Sequence, residues 1–244
     1  MREEYGWRAK IGMLSPMSNF ITFTEWSRVL PDGVTLHEAL MGLTEATPEH
    51  LKNMRKSAVG EARKLALGSM DILFYGCTSG SFVGGPGYDE DIIKELEAAV
   101  GIPTTTTTTC VLQAFADLGI KKIALVGPYL PELFDNEVEF FKGHNIETLY
   151  VKALGKKFTA EISLLRDTPY VFYRHAKEAF RSARGIDAVF ITCMASPAMK
   201  VIPALEDDTG LPVLSSNSAS LYGVLKKLGI KVPIEGYGKV FKLL

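Results

Sequence analysis

The 244-residue sequence lacks several features that would assign a function directly. Its three cysteines, Cys77, Cys110 and Cys193, are odd in number and far apart, so neither a disulfide framework nor a Cys-x-x-Cys metal site is expected. There is no run of 18 apolar residues, and the first residues have none of the apolar character of a signal peptide. We therefore expect a cytoplasmic protein with free thiols and no membrane partner.

The sequence also has little net charge. It contains 27 Lys and Arg against 28 Asp and Glu, which gives a net charge of −1. A broad basic surface that would attract phosphate backbones is not expected, so a nucleic-acid partner is excluded. Hydrophobic residues make up 47% of the chain and charged residues 23%, the balance of a folded protein with a sizeable core.

Signatures of metal ions and nucleotide cofactors are missing as well. The four histidines, His37, His50, His144 and His175, do not have the spacing of metal ligands. The glycine pattern Gly-x-Gly-x-x-Gly of dinucleotide-binding folds does not occur. The sequence therefore predicts neither a metal nor a cofactor.

What the sequence does contain is an internal repeat. Residues 71–77 (DILFYGC) are matched by residues 187–193 (DAVFITC), a displacement of 116 residues. Upstream, residues 10–16 (KIGMLSP) are matched by residues 122–128 (KIALVGP), a displacement of 112. Two further matches follow in the same order: 101–104 with 210–213, and 118–121 with 228–231.

Between the repeated apolar strands lie stretches with the spacing of helices. These stretches are 48–67, 89–100, 133–142, 170–184 and 199–209. Because parallel strands need crossovers long enough to hold a helix, we expect an α/β fold with two similar parallel-sheet lobes, related by a pseudo-twofold axis with the active site in the cleft between them. One lobe would comprise residues 1–115 plus the tail from about 220–244, and the other residues 116–219. A split into N-terminal and C-terminal halves is the simpler alternative.

Cys77 and Cys193 end the two repeat-matched strands. Since ligands of parallel sheets bind beyond the carboxyl ends of strands, the pseudo-twofold axis would bring the two thiols face to face. Small and hydroxylated residues follow each cysteine, as in tight turns whose backbone N–H groups bind a carboxylate and lower a thiol's pKa below about 8.5. Such a thiolate would serve as nucleophile or base. The alternative is that each cysteine is a small buried residue at a strand end.

Other residues near the predicted cleft are candidates for binding or for structure. Asn19 and Tyr129 follow the second pair of repeat-matched strands, so they would lie at the same cleft mouth, where they bind a carboxylate or simply complete a turn and a packed surface. Cys110 has no counterpart in the second repeat, so we expect it to be structural. The threonine run 104–109 is typical of a strand that leads into a helix cap.

The motifs around the two cysteines resemble a known family. Residues 77–81 (CTSGS), 191–196 (ITCMAS) and 236–241 (GYGKVF) look like the aspartate/glutamate racemase superfamily, in its branch of maleate cis-trans isomerases and arylmalonate decarboxylases. The resemblance extends over nearly the whole chain. It implies cofactor-free chemistry on a small carboxylic acid, at a carbon beside a carboxylate, with cysteines from the two lobes acting on opposite faces, and it implies a homo-oligomer.

The resemblance also implies a reaction. The decarboxylases have glycine at the first cysteine, whereas this chain has both cysteines and so is more similar to the isomerases and racemases. Cys77 would attack one alkene carbon of maleate and Cys193 would exchange a proton at the other, which gives a succinyl-cysteine adduct that rotates and eliminates fumarate. The residues implied to hold the carboxylates are Asn19, Thr78, Ser79, Tyr129 and the backbone N–H of Met194.

One stretch departs from the family pattern. The isomerases have an Asn in the middle of the second half, whereas residues 154–159 here read LGKKFT. Either Lys156 or Lys157 replaces that contact, or the substrate has a single carboxylate. The alternatives are therefore a racemase of an α-substituted acid or amino-acid derivative, an arylmalonate decarboxylase-like enzyme, and a small-acid-binding module without turnover.

Overall fold

The two repeats fold into two parallel sheets of four strands each, in a computed structural model that describes residues 5–17, 19–155 and 168–244. The first sheet contains β1 (Ala9–Pro16), β2 (Val34–Met41), β3 (Ile72–Tyr75) and β4 (Thr104–Thr106). The second contains β5 (Lys122–Gly127), β6 (Glu147–Ala153), β7 (Ala188–Ile191) and β8 (Val213–Ser215). The strand orders, β2-β1-β3-β4 and β6-β5-β7-β8, are equivalent, which confirms the prediction of two similar α/β lobes.

Helices connect the strands, as parallel sheets require. The first repeat contributes α1 (Ile21–Trp26), α2 (Pro48–Ala66), α3 (Thr78–Phe82), α4 (Tyr88–Val100) and α5 (Thr107–Leu118). The second contributes α6 (Pro131–Gly143), α7 (Pro169–Ser182), α8 (Ile202–Thr209) and α9 (Ser216–Lys227), with short 3₁₀ helices at Met199–Val201 and Lys239–Leu243. Among the described residues, none of these helices combines the length and the apolar character that a bilayer span needs.

The central strands form the core of each lobe. Every residue of β3 and β7 is buried, which explains their continuous apolar runs. The edge strands are only partly buried and were not among the predicted strands: β6 alternates between exposed and half-buried positions, and β2 is mostly half-buried between its buried ends. Thr104–Thr106 is a strand, and the Thr106 side chain accepts the N–H of Thr109 at 3.2 Å, which confirms the predicted strand and helix cap.

Two helices, α5 and α9, each contact elements of the other lobe. Phe115 of α5 packs edge-on against Phe190 of β7, with ring centroids 5.3 Å apart, although α5 follows the first sheet. In the opposite direction, the indole N–H of Trp26 in α1 donates to the carbonyl of Asn217 in α9 at 3.1 Å. The predicted lobe boundaries, near residues 115 and 220, fall inside α5 and α9 and stay a prediction.

Strand register places the ends of the central strands level with each other. Leu14 of β1 pairs with Tyr75 of β3, and in the second sheet Val126 of β5 pairs with Ile191 of β7. The loops after these four strands therefore begin at the same height on each sheet. These loops build the cavity described next.

Candidate active site

One cavity, enclosing about 410 Å³ of space between atoms, lies where the loops after β1, β3, β5 and β7 meet. It is lined by all seven residues selected from the sequence: Asn19, Cys77, Thr78, Ser79, Tyr129, Cys193 and Met194. The rest of the lining is Pro16, Leu43, Ala46, Gly76 and Ala195. The two lobes thus contribute one cysteine each to a common cavity.

Cys77 occupies the N-cap of α3. Its backbone is extended, with φ −142°, and its Sγ accepts the N–H of Gly80 at 3.3 Å. The hydroxyl of Ser79 lies 3.8 Å from the same sulfur. A Cβ at position 80 would lie 3.0 Å from that Sγ, so glycine there lets the helix start approach the thiol.

Cys193 sits in a left-handed turn, with φ +81°, an uncommon conformation for a residue other than glycine. Such a conformation costs about 1–3 kcal/mol and persists where the surroundings hold it. Here Ser196 holds the turn: its N–H donates to the carbonyl of Cys193 at 3.0 Å and its hydroxyl to the carbonyl of Thr192 at 2.9 Å. The Ala195 N–H and the Tyr129 hydroxyl each lower the pKa of the Cys193 thiol.

The backbone N–H groups of the turns lower the thiol pKa values as expected, but the expected net result, a pKa below about 8.5, is wrong. Burial raises the pKa of Cys77 to about 11 and that of Cys193 to about 12. The side chains are so enclosed, with only 6% and 8% of each residue exposed, that the loss of hydration outweighs the hydrogen bonds they accept. The charges of Cys77 and Glu137 add to burial in raising the Cys193 pKa.

The raised pKa predicts how Cys77 labelling depends on pH. Because iodoacetamide reacts with thiolate, labelling of a thiol of pKa about 11 should accelerate about tenfold per pH unit between pH 7 and pH 10. Peptide mass spectrometry separates the Cys77 signal from those of the other cysteines. In the unfolded protein the same rate should level off above about pH 8.5. Levelling at that pH in the folded protein would contradict the burial effect.

Several of the predicted carboxylate-binding groups already have partners inside the protein. The side-chain oxygen of Asn19 accepts the N–H of Ile21 at 3.1 Å, and its amide donates to Thr22 Oγ1 at 2.9 Å; within the described part of the chain, the second amide hydrogen is left for a ligand. The Thr78 hydroxyl donates to Ser216 Oγ at 3.0 Å. For Thr78, the group suited to an anion is therefore its backbone N–H at the start of α3.

A hydrogen-bond network behind the cavity was not foreseen in the sequence. Thr22 Oγ1 lies 3.0 Å from the Met194 carbonyl and 3.1 Å from Asn217 Oδ1, so it joins both lobes directly behind the turn after Cys193. The apolar wall formed by Leu43 and Ala46 was also missed, because it follows the unpredicted edge strand β2. The sequence feature that could have indicated the network is the run of polar residues at the start of α9, where Asn217 is fully buried.

The remaining sequence candidates lie elsewhere. Cys110 is buried between α5 and α9, where a Cβ at Gly223 would come within 2.6 Å of its sulfur, and it does not line the cavity. Lys156 and Lys157 are outside the described residues. Within the described part of the chain, no group of three or more His, Cys, Asp or Glu side chains is arranged to hold a metal ion.

The sequence and fold match known proteins over nearly their full length. The arylmalonate decarboxylase family model matches residues 11–241. A maleate isomerase of Geobacillus stearothermophilus is 27% identical, over 95% of this chain and 96% of its own length. The arylmalonate decarboxylase of Bordetella bronchiseptica is 26% identical, over 95% of each chain. A solved mutant of the Nocardia farcinica maleate cis-trans isomerase, with a covalently bound succinylcysteine intermediate, has a TM-score of 0.86 at 21% identity and covers 97% of this chain and 99% of its own.

Proposed function

Because this chain belongs to the arylmalonate decarboxylase family, we propose that it is a cofactor-independent isomerase that converts maleate to fumarate. The observation that supports this reaction is the pair of thiols, Cys77 and Cys193, in one cavity. The decarboxylases that the motifs resemble have glycine at the first of these positions. A nucleophile on one lobe and a proton donor on the other suit an addition to an alkene between them.

The reaction begins with Cys77. Its thiolate attacks one alkene carbon, and the alkene π electrons move toward the other carbon and its carboxylate. Ionising a thiol of pKa about 11 costs about 5 kcal/mol at pH 7. That is well below the barrier of about 16 kcal/mol for an enzyme that turns over about ten times per second, so a buried thiol is compatible with catalysis.

Cys193 completes the addition. Its thiol donates a proton to the second carbon, and a succinyl adduct on Cys77 results. The former double bond is now single and rotates. The Cys193 thiolate, which Tyr129 and Ala195 stabilise, then removes a proton from the same carbon, and the C–S bond to Cys77 breaks to give fumarate.

Donors around the cavity hold the two carboxylates. The free amide hydrogen of Asn19, the Ser79 hydroxyl and the backbone N–H groups of Thr78 and Met194 all belong to lining residues. When Cys77 attacks one alkene carbon, negative charge builds on the carboxylate attached to the other carbon. These donors stabilise that charge. They come from both lobes: Asn19, Thr78 and Ser79 from the first repeat and Met194 from the second.

A racemase of an α-substituted acid is the second candidate. The apolar wall of Pro16, Leu43 and Ala46 favours it, because such a wall would hold a side chain that maleate lacks. In a racemase, the two thiols remove the α-proton on one face and return it on the other. The same cavity and the same cysteines serve both reactions.

Three substrates compared under identical conditions separate these functions. The purified, reduced protein is incubated with maleate, with an arylmalonate, and with one enantiomer of an α-substituted acid in heavy water. We expect loss of maleate by chromatography, no release of CO₂ from the arylmalonate and no exchange of the α-proton. Turnover of either of the other substrates with maleate unchanged would contradict the proposal, and inactivity toward all three would favour a binding module.

A further inference from the structure

We propose that Glu137 is a positioning residue for Cys193: it binds the side chain of Thr192, the preceding residue, and so fixes the left-handed turn that presents the second thiol to the cavity. This inference rests on the proposed two-cysteine function. Glu137 lies on α6 and does not line the cavity, so it acts through its neighbours.

The contact is fully enclosed. Glu137 and Thr192 have no exposed surface, and Thr192 Oγ1 donates to Glu137 Oε1 at 2.5 Å. The backbone of Thr192 is held as well, since its N–H donates to the carbonyl of Val126 at 2.8 Å. Thr192 is thus fixed at its side chain and at its backbone, immediately before the strained φ of Cys193.

Burying the carboxyl group of Glu137 lowers the stability of the fold, which is unfavourable if the residue serves only packing. Among the described residues, its second oxygen, Oε2, has no hydrogen-bond partner. A buried carboxyl with a single partner is destabilising relative to a well-packed apolar side chain. A role beyond packing accounts for that cost.

Glu137 also influences the charge of the cavity groups. Burial raises the pKa of Glu137 to about 8, so the carboxyl is neutral at pH 7. The titratable groups that respond to its charge are Tyr129, after β5, and Cys193, after β7, and ionisation of Glu137 raises the pKa of both. Ionisation of this carboxyl above about pH 8 therefore opposes ionisation of the second thiol.

The charged groups on the elements that pack against α6 form ion pairs of their own. The neighbouring helix α3 (TSGSF) contains no charged residue. On β6, Glu147 lies 3.9 Å from Lys122, and Lys152 lies 2.6 Å from Glu178. Neither pair contributes to the shift of the Glu137 pKa, which arises from burial and is opposed only by Thr192.

The internal repeat shows that the first cysteine has no equivalent of the contact between Glu137 and Thr192. The displacement of 112 that relates residues 10–16 to residues 122–128 pairs Glu137 with Glu25. Glu25 accepts hydrogen bonds from the Met199 N–H at 3.0 Å and from Asn217 Nδ2 at 2.5 Å. It does not hold the residue before Cys77, because that residue is a glycine and has no hydroxyl.

The first test is the labelling of Cys193 in Glu137→Gln, which keeps an acceptor for Thr192 and removes the titration. Methyl methanethiosulfonate reacts with thiolate, and peptide mass spectrometry reports each cysteine separately. We expect Cys193 to react at the wild-type rate at pH 6.5 and at least about threefold faster at pH 9.5. Cys77 in the same sample is the internal control and should be unchanged. A Cys193 rate ratio that is independent of pH, or an equal change at Cys77, would contradict the influence of the Glu137 charge on Cys193; the positioning role is tested by removing the hydroxyl of Thr192.

The second test separates hydrogen bonding from shape. Thr192→Val removes the hydroxyl at nearly constant volume and should lower kcat at least about tenfold with KM within about threefold, while Thr192→Ser should stay within about threefold of wild type. Full kcat in a folded Thr192→Val protein, or in Thr192→Ala where Thr192→Val does not fold, would contradict the positioning role. If the wild-type protein leaves maleate unchanged, the proposed function fails, and labelling of Cys193 relative to Cys77 in the same Thr192 variant then decides the positioning role: an unchanged Cys193 rate would overturn it.

Discussion

Replacing Cys193 by serine is expected to lower maleate turnover at least about a thousandfold and to leave maleate bound to the protein as an adduct. Cys77 is intact in this variant and still attacks the alkene, and the second carbon then takes its proton slowly from water. A serine hydroxyl is a much weaker acid than a thiol, so no alkoxide is available to remove that proton again and release the product. Intact mass spectrometry after incubation should show a protein heavier by one molecule of maleic acid.

Two matched variants control this experiment. A Cys77→Ser, Cys193→Ser double variant should gain no mass, because the attacking sulfur is gone. Cys110→Ala removes the thiol that lies outside the cavity and should turn over maleate within about twofold of the wild-type rate, since surface and structural changes leave the reacting groups in place. Full activity in the Cys193→Ser variant would refute the two-thiol mechanism.

Replacing Cys77 by alanine is expected to abolish isomerisation, again by at least about a thousandfold, and to prevent formation of the adduct. The reason is that no other described side chain in the cavity supplies a thiolate to the substrate from the first lobe. The measurement is the initial rate of maleate loss beside CO₂ release from an arylmalonate. A decarboxylase would keep its CO₂ release in this variant, so retained decarboxylation with no isomerisation in the wild type would assign the other reaction of the family.

The two-lobe fold is largely predictable because the chain repeats itself. Residues 71–77 and 187–193 form the fully buried central strands, whose apolar runs are unambiguous. The edge strands β2 and β6 have weaker apolar patterns because each has a solvent-facing side. The crossing of α5 and α9 is harder to foresee, since an apolar helix face does not show which of two sheets it covers.

The location of the site is also predictable, but its electrostatics are not. The rule that ligands bind beyond the carboxyl ends of parallel strands was enough to predict that Cys77 and Cys193 line the same cavity. Burial, however, decides the thiol pKa values, and it depends on the packing of both lobes. Glu137 shows the same difficulty, because a Glu in an amphipathic helix ordinarily faces solvent; only its spacing from Glu25 in the repeat could have indicated it.

The measurement that tests the central claim most directly is proton NMR of maleate incubated with the purified, reduced protein at neutral pH. The two-thiol mechanism predicts that the maleate vinyl signal falls as the fumarate vinyl signal rises, and that neither changes with Cys77→Ala. A maleate spectrum that stays unchanged with folded wild-type protein, whose two cavity thiols are shown by labelling to be reduced, would contradict the proposed reaction.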